Sequence, residues 1–310
     1  MMALIPGPRP NSPLWHLVSL LPWRLAVPFY AATARRRIAP LLGRTPDFAR
    51  PSAASERVAA RMFTLHHPLA ARLADKLALR GLVAERIGAE HALPLLGHWA
   101  RPEEIAWDAL PDAFVLKCNH GSRLNIFVPD RAAFDRAAAA RRLGRWLKRR
   151  HHRRYGEACY RGIVPRILAE PWLGPPGRTA EDYKVHVFCG RAHFLQHYRG
   201  RGFNGTGERI NWHGRDLSHL PCARHRDPEM RPDPAAAGLF DLAERLVPDL
   251  VYARVDFFLV GGRPLVAEVT LAPGAGTFTS LLPEGNAALG AVWAAEEARA
   301  RAEGRFAALV

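Results

Sequence analysis

The sequence predicts an α+β fold, in which antiparallel hairpins of strands are combined with helices. The strand signal is clearest at residues 254–270, where apolar residues recur on both sides of the turn-forming residues 261–264 (GGRP). A second hairpin is predicted at residues 182–199, with its turn at Gly190. Helical spacing of apolar residues extends over residues 56–87. Further helices are predicted at residues 141–154 and 234–247.

Each strand of the first hairpin carries one carboxylate among apolar neighbours. Asp256 lies in the sequence RVDFF, and Glu268 follows it by twelve positions in AEVT. A hairpin of this length can bring the two side chains together. Since two buried carboxylates repel, one would have to take up a proton unless a cation lies between them. Hard cations such as Mg²⁺ take oxygen ligands of this kind, usually together with substrate phosphates. The alternative is that both carboxylates face water or Arg254.

A second candidate feature is the short loop that follows residues 114–117 (FVLK). These residues are typical of a buried strand that ends in Lys117, and residues 118–122 (CNHGS) are small or turn-forming. The ammonium group and the loop N–H groups could both face an anion, which favours phosphate binding. The loop has one glycine and is not a Walker motif, so an ordinary transition from strand to turn stays open.

The order of the segments resembles the TupA-like family of the ATP-grasp superfamily. A further strand that runs into a proline-broken connector is predicted at residues 163–173. The matching residues are Asp75, Lys76 and Arg80 (DK…R), 114–122 (FVLK-NHGS), 155–157 (YGE), Tyr160, 165–170 (PRIL-E), 182–190 (DYKVHVF-G), 254–260 (RVDFFLV), 267–276 (AEVTLAPGAG), Pro283 and Gly290. The resemblance extends over roughly residues 60–295. It implies an ATP-grasp fold, with the nucleotide clamped between two α/β lobes and a helical N-terminal extension.

The resemblance implies a role for each matched residue of the site. The residues implied to bind ATP are Lys117 and Lys184 at the phosphates, the flap residues Asn119, His120, Gly121 and Ser122 over them, Glu170, Trp172 and Leu173 at the adenine, and Asp182 at the ribose. Those implied to bind Mg²⁺, or Mn²⁺ in its place, are Asp256, Glu268 and Thr270. The implied catalytic residues are Lys117 and Arg254, of which Arg254 would steady the transferring phosphoryl group.

Two positions depart from the superfamily pattern. Thr270 stands where most ATP-grasp enzymes have Asn, although the TupA-like family commonly has Thr there. Arg123 stands in the flap where the family often has Gly. A side chain cannot take every glycine conformation, so the conformation of the flap stays open.

The resemblance also implies an activity and a setting. The implied activity is the ATP- and Mg²⁺-dependent joining of a carboxylate to an amine through an acyl phosphate. The implied setting is biosynthesis of a cell-surface polysaccharide (capsule, exopolysaccharide or teichuronopeptide-like), with an acidic glycan and an amino acid or peptide as substrates and other enzymes of that pathway as partners. Two alternatives stay open: a glycosyltransferase-like protein of the same pathway, and a non-catalytic protein that binds polyanions or a membrane surface.

The predicted domain organisation has four parts. They are an apolar and basic extension with a linker at 1–55, a small helical subdomain at 56–110, a middle lobe with the phosphate flap and the adenine site at 111–185, and a C-terminal lobe with the metal-binding hairpin at 186–310. A chain of 310 residues is long enough for several such subdomains.

Composition points to an anionic partner. The net charge is +15, from 44 basic and 29 acidic residues, and the densest basic cluster lies at residues 141–154. Leu143, Trp146 and Leu147 fall at helical spacing there, which predicts an amphipathic helix with a basic outer face. This face is either a docking surface for a polyanion or a solvated helix face. No helix-turn-helix or RNA-recognition signature occurs, so no nucleic-acid partner is expected.

Residues 14–42 are apolar and aromatic, but they do not predict a membrane span. Pro22, Arg24 and Pro28 interrupt them, so no stretch approaches the ~20 apolar residues that a transmembrane helix needs. A signal peptide is not expected, because the charged start and the cleavage site are missing. Two alternatives remain: packing on the core, which is favoured, and an interfacial helix at an anionic inner leaflet. The expected location is cytoplasmic, with peripheral membrane association under the second alternative.

Cysteine and histidine usage gives two weaker indications. The four cysteines are scattered without a CxxC motif, which is typical of a reduced cytosolic protein. A possible zinc cluster consists of His213, His219, Cys222 and His225, but a polar loop is the alternative because 14 histidines make chance clusters common. The candidate positions of the substrate pocket are Gln196, Arg199, Arg201 and Asn204.

Overall fold

A computed structural model describes residues 13–65, 67–175, 179–200, 208–224 and 227–305, and it has the predicted α+β class. The helices of these ranges are α1 (Pro13–Leu20), α2 (Trp23–Leu42), α3 (Ala54–Met62), α4 (Ala70–Ala74), α5 (Leu79–Arg86), α6 (Arg136–Leu147), α7 (His152–Tyr155), α8 (Gly238–Leu246) and α9 (Pro283–Ala302). The strands are β1 (Gly97–Trp99), β2 (Phe114–Cys118), β3 (Asn125–Val128), β4 (Ile167–Pro171), β5 (Asp182–Phe188), β6 (Arg191–Arg199), β7 (Arg209–His213), β8 (His219–Leu220), β9 (Tyr252–Val260) and β10 (Arg263–Thr270).

The first sheet is antiparallel and carries the predicted Lys117 strand at its centre. Its strand order is β1-β4-β2-β3. Helix α6 covers one face, where Leu143 and Trp146 pack against Phe114 and Leu116 in an apolar core. The predicted strand at residues 163–173 begins only at β4. Because proline has no N–H to donate to a ladder, Pro165 fits this late start.

The second sheet contains both predicted hairpins. Its strand order is β10-β9-β5-β6-β7-β8, with β9 paired to β10 and β5 paired to β6. Alternate residues such as Val185, Val255 and Phe257 face helix α8 in the largest apolar core. Strand β5 lies entirely in this sheet, so the predicted border between residues 185 and 186 divides a single strand. The chain passes from one sheet to the other at residues 172–181.

The predicted helices are present but shorter than the apolar spacing indicated. The stretch at residues 56–87 is broken into α3, α4 and α5, and Pro68 lies in the first break. The basic stretch at residues 141–154 is broken between α6 and α7. The predicted helix at residues 234–247 begins as a 3₁₀ turn and continues as α8. Apolar residues of α3, α4 and α5, such as Val58, Leu73 and Leu82, are buried, so tertiary packing holds these three pieces together.

The N-terminal helices pack on the core. Trp15, Tyr30 and Ile38 are buried in an apolar cluster that also holds Phe188 and Trp293. Of the two alternatives for residues 14–42, this arrangement is packing on the core. None of the helices in the described ranges is long and apolar enough to cross a membrane.

Helix α9 is held tightly against the segment that precedes α3. The side-chain oxygen of Asn286 accepts a hydrogen bond from the backbone N–H of Ser55 at 2.9 Å. A Cβ atom at Gly290 would lie only 2.0 Å from the carbonyl oxygen of Ser52. Because no side chain fits at this contact, the packing requires glycine at position 290. This close contact is a physical reason for the glycine at position 290, the last of the residues that carry the family resemblance.

Candidate active site

A cavity of about 280 Å³ lies between the two sheets, and most of the predicted site residues line it. They come from both sheets and from the connection between them: Lys117, Ser122, Glu170, Trp172, Leu173, Asp182, Lys184, Arg254, Asp256 and Glu268. Asn119, His120, Gly121 and Thr270 are not among the lining residues. The sequence order of the motifs therefore corresponds to one site in space, although four of its predicted members lie outside the cavity wall.

Asp256 and Glu268 are direct partners in the register of β9 and β10. A shift in the register between Val266 and Glu268 brings Glu268 opposite Asp256. The predicted approach of the two carboxylates is confirmed. The turn at residues 261–264 and this register shift together determine the alignment. As a result, the two carboxylates lie on the same face of the sheet.

Two cationic side chains that hydrogen-bond to Asp256 keep its carboxylate ionised. Arg254 donates two hydrogen bonds to its carboxylate, at 2.6 and 2.7 Å, and Nζ of Lys184 donates a third at 2.8 Å. Burial alone would raise the pKa of Asp256, but Arg254 and then Lys184 lower it to about 2. Lys184 is the register partner of Asp256 on β5, so the pairing of three strands produces this cluster.

Glu268 has a separate cation, Lys76. Its carboxylate lies 3.2 Å from Nζ of Lys76 and accepts a hydrogen bond from Oγ1 of Thr270 at 3.1 Å. Burial opposes ionisation, but Lys76 has the larger lowering effect on the pKa of Glu268 among the charged neighbours. The two facing carboxylates therefore both stay ionised because lysine and arginine side chains surround them. Thr270 acts on the site through Glu268 and also accepts from Nη2 of Arg254 at 3.2 Å.

On the opposite wall, Glu170 forms a second buried ion cluster. It pairs with Lys117 and, at 2.5 Å, with Nη2 of Arg80. Glu170 is the register partner of Val115, so Lys117 projects from β2 to the same face two residues further along. The carboxylate of Glu170 is thus already paired with two cationic side chains in this structure. Its predicted contact with adenine requires that one of these ion pairs open or share the carboxylate.

Apolar side chains line the cavity beyond Glu170. Leu93, Val115 and Phe258 are among the lining residues. Phe127 and Trp172 meet edge to face at the same cavity, with 6.2 Å between ring centroids. An apolar and aromatic surface next to buried charges suits a planar heterocycle that carries an anionic group.

The predicted flap residues divide into two groups. Ser122 and Arg123 line the cavity. The side chain of Asn119 instead donates to Asp75 and to the carbonyl of Val164, at 2.9 and 3.0 Å, and accepts from the N–H of Arg166 at 2.7 Å. These three hydrogen bonds hold the loop to its neighbours and orient the Asn119 side chain away from the cavity.

His120 and Gly121 also support the loop from outside the cavity. The buried ring of His120 donates to the carbonyl of Trp146 at 3.2 Å. Gly121 packs so closely on the ring of His151 that a Cβ atom would lie 2.5 Å from it, and its carbonyl accepts from Lys76 at 2.9 Å. The cavity contacts implied for Asn119 and His120 side chains are therefore absent from the described geometry.

Arg123 adopts a conformation that glycine normally takes. Its φ is +58°, in the left-handed region. The open question about the flap is thus answered locally: an arginine is accommodated in the glycine-like conformation, and Arg123 lines the cavity. This conformation costs about 1–2 kcal/mol for a residue with a Cβ atom.

Lys76 and Arg80 were part of a matched motif, but no role followed for them from the sequence. Lys76 is buried and joins the flap carbonyl of Gly121 to Glu268. Arg80, in the first turn of α5, joins the first sheet through Glu170. The DK…R motif was the available signal, but Lys76 lies in the turn between α4 and α5, so helical spacing does not explain how the two cations reach the site.

The remaining candidate residues do not form a second site in the described ranges. His225, Arg201 and Asn204 lie outside the described residues. Of the other pocket candidates, Gln196 is buried against His186 and Ser280, and Arg199 pairs with Glu181. Within the part of the chain that the structure describes, no three or more His, Cys, Asp or Glu side chains converge so that they could hold a metal ion.

The fold and cavity define a two-sheet α+β protein with a charged cleft between its sheets. A family model described as TupA-like ATPgrasp matches residues 56–292, so the chain belongs to the TupA-like ATP-grasp family. The resemblance noted in the sequence is confirmed by this match. No curated protein matches the sequence.

Several solved structures have a likeness to the chain. One is a D-alanine–D-alanine ligase from Bacillus anthracis complexed with ATP (19% identity, TM-score 0.41, covering 70% of this chain and 60% of that one). Another is the D-cycloserine synthetase DcsG (19% identity, TM-score 0.44, covering 86% of this chain and 93% of that one). A third is the ATP-grasp ligase PsnB complexed with minimal precursor (13% identity, TM-score 0.38, covering 74% of this chain and 62% of that one). The chain spans less than two thirds of the first and third proteins. At these identities and TM-scores, the family assignment depends on the family match alone.

Proposed function

We propose that the protein is an ATP- and Mg²⁺-dependent ligase that joins a carboxylate to an amine through an acyl phosphate. The observation that carries this proposal is the pair of facing carboxylates, Asp256 and Glu268, at a cavity whose two walls both bear cations. Membership of the TupA-like ATP-grasp family supports it.

The charge of the cavity fits a polyphosphate. Among the described residues, six cationic side chains line the cavity or pair with its carboxylates: Lys76, Arg80, Lys117, Arg123, Lys184 and Arg254. Four carboxylates accompany them: Glu170, Asp182, Asp256 and Glu268. This excess of positive charge in a partly closed space favours an anionic ligand. Arg254 and Lys184 are held at Asp256, and Lys117 is on the facing sheet, so a triphosphate between the sheets would meet cations from both sides.

The donor set fits Mg²⁺ bound together with that triphosphate. Asp256 and Glu268 offer carboxylate oxygens, and the hydroxyl of Thr270 orients Glu268. Two carboxylates are few for a metal bound by protein alone, but Mg²⁺ in phosphoryl-transfer sites takes one or two carboxylates plus substrate phosphates. When bound, the metal would neutralise charge on the phosphates.

The chain's own residues would position the reacting groups and exclude water. Arg254 is orientated by its two hydrogen bonds to Asp256, so its planar guanidinium is preorganised next to the phosphate site. Lys117 and Lys184 would fix the phosphates from opposite sheets. The flap residues Ser122 and Arg123 would cover the site, which protects an acyl phosphate from hydrolysis. We assign no general base for the amine.

We extend the proposal to the substrates and the cell compartment. An acidic glycan as the carboxylate donor, with an amino acid or peptide as the amine, fits the cationic cavity and the family. Enzymes of cell-surface polysaccharide biosynthesis would then supply and consume its substrates. Cytoplasmic location would provide ATP and Mg²⁺, and the free cysteines, of which Cys118, Cys159 and Cys189 are buried, fit a reducing compartment.

Ligand-induced thermal stabilisation tests the nucleotide site. With Mg²⁺ and a non-hydrolysable ATP analogue at about 100 times Kd, binding adds about 2.7 kcal/mol to the free energy of unfolding, a rise of roughly 4 °C in Tm. The Asp256→Asn/Glu268→Gln variant should lose most of this rise. The control variant Glu103→Gln/Glu229→Gln removes the same charge at exposed positions and should keep it. Mg²⁺ alone should give little shift, because cations already surround both carboxylates.

A chemical trap tests the ligase step separately. An acyl phosphate reacts with hydroxylamine to give a hydroxamate, which can be measured by its colour with iron. Formation of hydroxamate with a uronic acid or an amino acid, dependent on ATP and lost in Arg254→Met, supports the proposal. Nucleotide binding without any acid-dependent release of ADP, over a broad panel of acids and amines, contradicts the ligase step. Absence of any nucleotide-dependent shift contradicts the whole proposal.

A further inference from the structure

Exposed leucines and a basic cleft share one end of the molecule. On α1, Leu17 and Leu20 are 62% and 74% exposed, whereas Trp15 and Val18 on the opposite face are buried. Leu25 on α2 is 60% exposed. Leu20 also lies at the edge of a surface cleft of about 560 Å³, called here the basic cleft, whose cationic residues are Lys148, Arg149, Arg150, Arg153 and Arg154.

The basic cleft has one sign of charge. Among the described residues that line it, none is acidic. Lys148, Arg149 and Arg150 are exposed in the break between α6 and α7. His151 also lines the cleft, but burial lowers its pKa to about 3, so it adds no charge near neutral pH. The field of these cations is therefore directed outward into solvent beside Leu20.

Two contacts join the α1–α2 segment, which bears the exposed leucines, to the basic segment at residues 153–161. Nη1 of Arg153 donates a hydrogen bond of 2.7 Å to the carbonyl of Leu21, at the junction of α1 and α2. Arg161 stacks on the ring of Trp23, with 5.0 Å between the guanidinium carbon and the ring centroid. These contacts fix the position of the exposed leucines relative to the basic cleft.

We propose that this end of the molecule docks on an anionic membrane surface. The exposed leucines would enter the boundary between headgroups and acyl chains, and the cations of the basic cleft would meet the anionic headgroups. A bilayer offers both an apolar layer and a layer of negative charge at the spacing of a side chain. A soluble polyanion offers only the charge and leaves Leu17 and Leu20 in water. The combination of both features on one surface is what selects the bilayer.

Vesicle co-sedimentation tests this proposal with the full chain. The probes are vesicles of phosphatidylcholine alone and of phosphatidylcholine with 30% phosphatidylglycerol as the experimental composition, a fraction on the order of that in anionic leaflets. We expect binding only to the anionic vesicles. The variant Lys148→Gln/Arg149→Gln/Arg150→Gln should bind more than about tenfold more weakly. The matched control, Arg50→Gln/Arg263→Gln/Arg301→Gln, removes the same charge from exposed positions elsewhere and should change binding less than about twofold.

A second pair of variants separates docking by insertion from simple attraction of charge. Leu17→Ser/Leu20→Ser should weaken binding by about tenfold, whereas Leu96→Ser/Val260→Ser, at residues 40% and 39% exposed, should not. A polarity-sensitive fluorophore on Leu20→Cys should shift to the blue with anionic vesicles, and the same label on Val260→Cys should not. The nucleotide-induced thermal shift is measured on every variant as a check of folding.

Three results would each overturn the proposal. One is an equal loss of binding in the two charge variants, because any basic surface would then suffice. Another is unchanged binding of the leucine variant with the label at position 20 still in water. The third is equally tight binding of soluble polyglutamate or alginate, reduced by the charge variant and not by the leucine variant, which would assign the cleft to a soluble polyanion.

Discussion

The backbone N–H of Ser122 donates a hydrogen bond to Nε2 of His151, at 3.3 Å, and this contact joins the flap to the segment behind it. Nε2 can accept only when the ring is neutral with its proton on Nδ1. Burial, together with Lys76 and Arg154, lowers the pKa of His151 to about 3, so the acceptor is present at all pH values at which the protein would work. The position of Ser122 at the cavity therefore depends on a residue outside it.

Replacement of His151 should weaken nucleotide binding without a change in the cavity wall. His151→Phe keeps a ring against Gly121 but removes the acceptor for Ser122, and one such hydrogen bond contributes about 1 kcal/mol, or about fivefold in Kd. Calorimetric titration with Mg²⁺ and an ATP analogue measures the change. His152→Phe is the matched control, since His152 contacts Trp23 and not the flap. An unchanged Kd in His151→Phe would show that the flap does not depend on this contact.

Asn119→Ala should destabilise the protein while leaving the nucleotide affinity nearly unchanged. The substitution leaves Asp75, the carbonyl of Val164 and the N–H of Arg166 without their common partner, which costs about 2–3 kcal/mol in the free energy of unfolding. Urea unfolding measures this loss, and calorimetry of the folded variant measures Kd. A large rise in Kd with unaltered stability would instead restore the ATP contact that the sequence implied for Asn119.

Two substitutions at Arg123 separate its backbone conformation from its charge. Arg123→Gly and Arg123→Ala both remove the guanidinium group, so both should weaken binding of the nucleotide to a similar extent. Because position 123 has φ = +58°, the glycine variant should be more stable than the alanine variant by about 1 kcal/mol. Urea midpoints and titrations on both variants check the two expectations. Equal stabilities would mean that the loop relaxes to another conformation when the side chain is shortened.

Glu157 should make stability depend on pH in the opposite direction to most carboxylates. Complete burial raises its pKa from 4.5 to about 8. Its contribution is therefore fully present below pH 4.5, where the unfolded state is protonated, and is lost as pH rises through about 8. Glu157→Gln keeps the shape without this titration, so the variant should gain in urea midpoint relative to the native chain between pH 5 and pH 8. A difference that stays constant over this range would contradict the buried, protonated state of Glu157.

The sequence predicted the parts of the fold that depend on local pattern. The hairpin with Asp256 and Glu268 was predictable because the alternation of apolar residues and the two turn glycines are properties of a short stretch. The Lys117 strand followed from a short apolar run, and the β5–β6 hairpin followed from an alternation of apolar and polar residues. The register that aligns the two carboxylates also depends on the irregularity between Val266 and Glu268, which no local pattern predicted.

The contacts of the site that join distant segments were not predictable in this way. Lys76, in the turn after α4, and Arg80, on α5, reach Glu268 and Glu170 through tertiary packing, and 44 basic residues offered many other candidates. Asn119 resembles a ligand residue in a small polar loop, yet its three partners lie 44 or more residues away. The predicted border between residues 185 and 186 falls inside β5, and the sequence had no signal for this because which sheet a strand joins depends on its partners.

The contact of Gly290 with Ser52 has a consequence for how the chain can be shortened. The family match begins at residue 56, but the backbone that receives α9 lies before it, and Trp15, Tyr30 and Ile38 fill the core beside Trp293. A truncation to residues 56–292 would remove these N-terminal partners and would also cut α9 just before Trp293, leaving a large apolar face in water. The recognisable motif region and the cooperative folding unit therefore have different limits, and any minimal fragment has to retain the helices that precede the match.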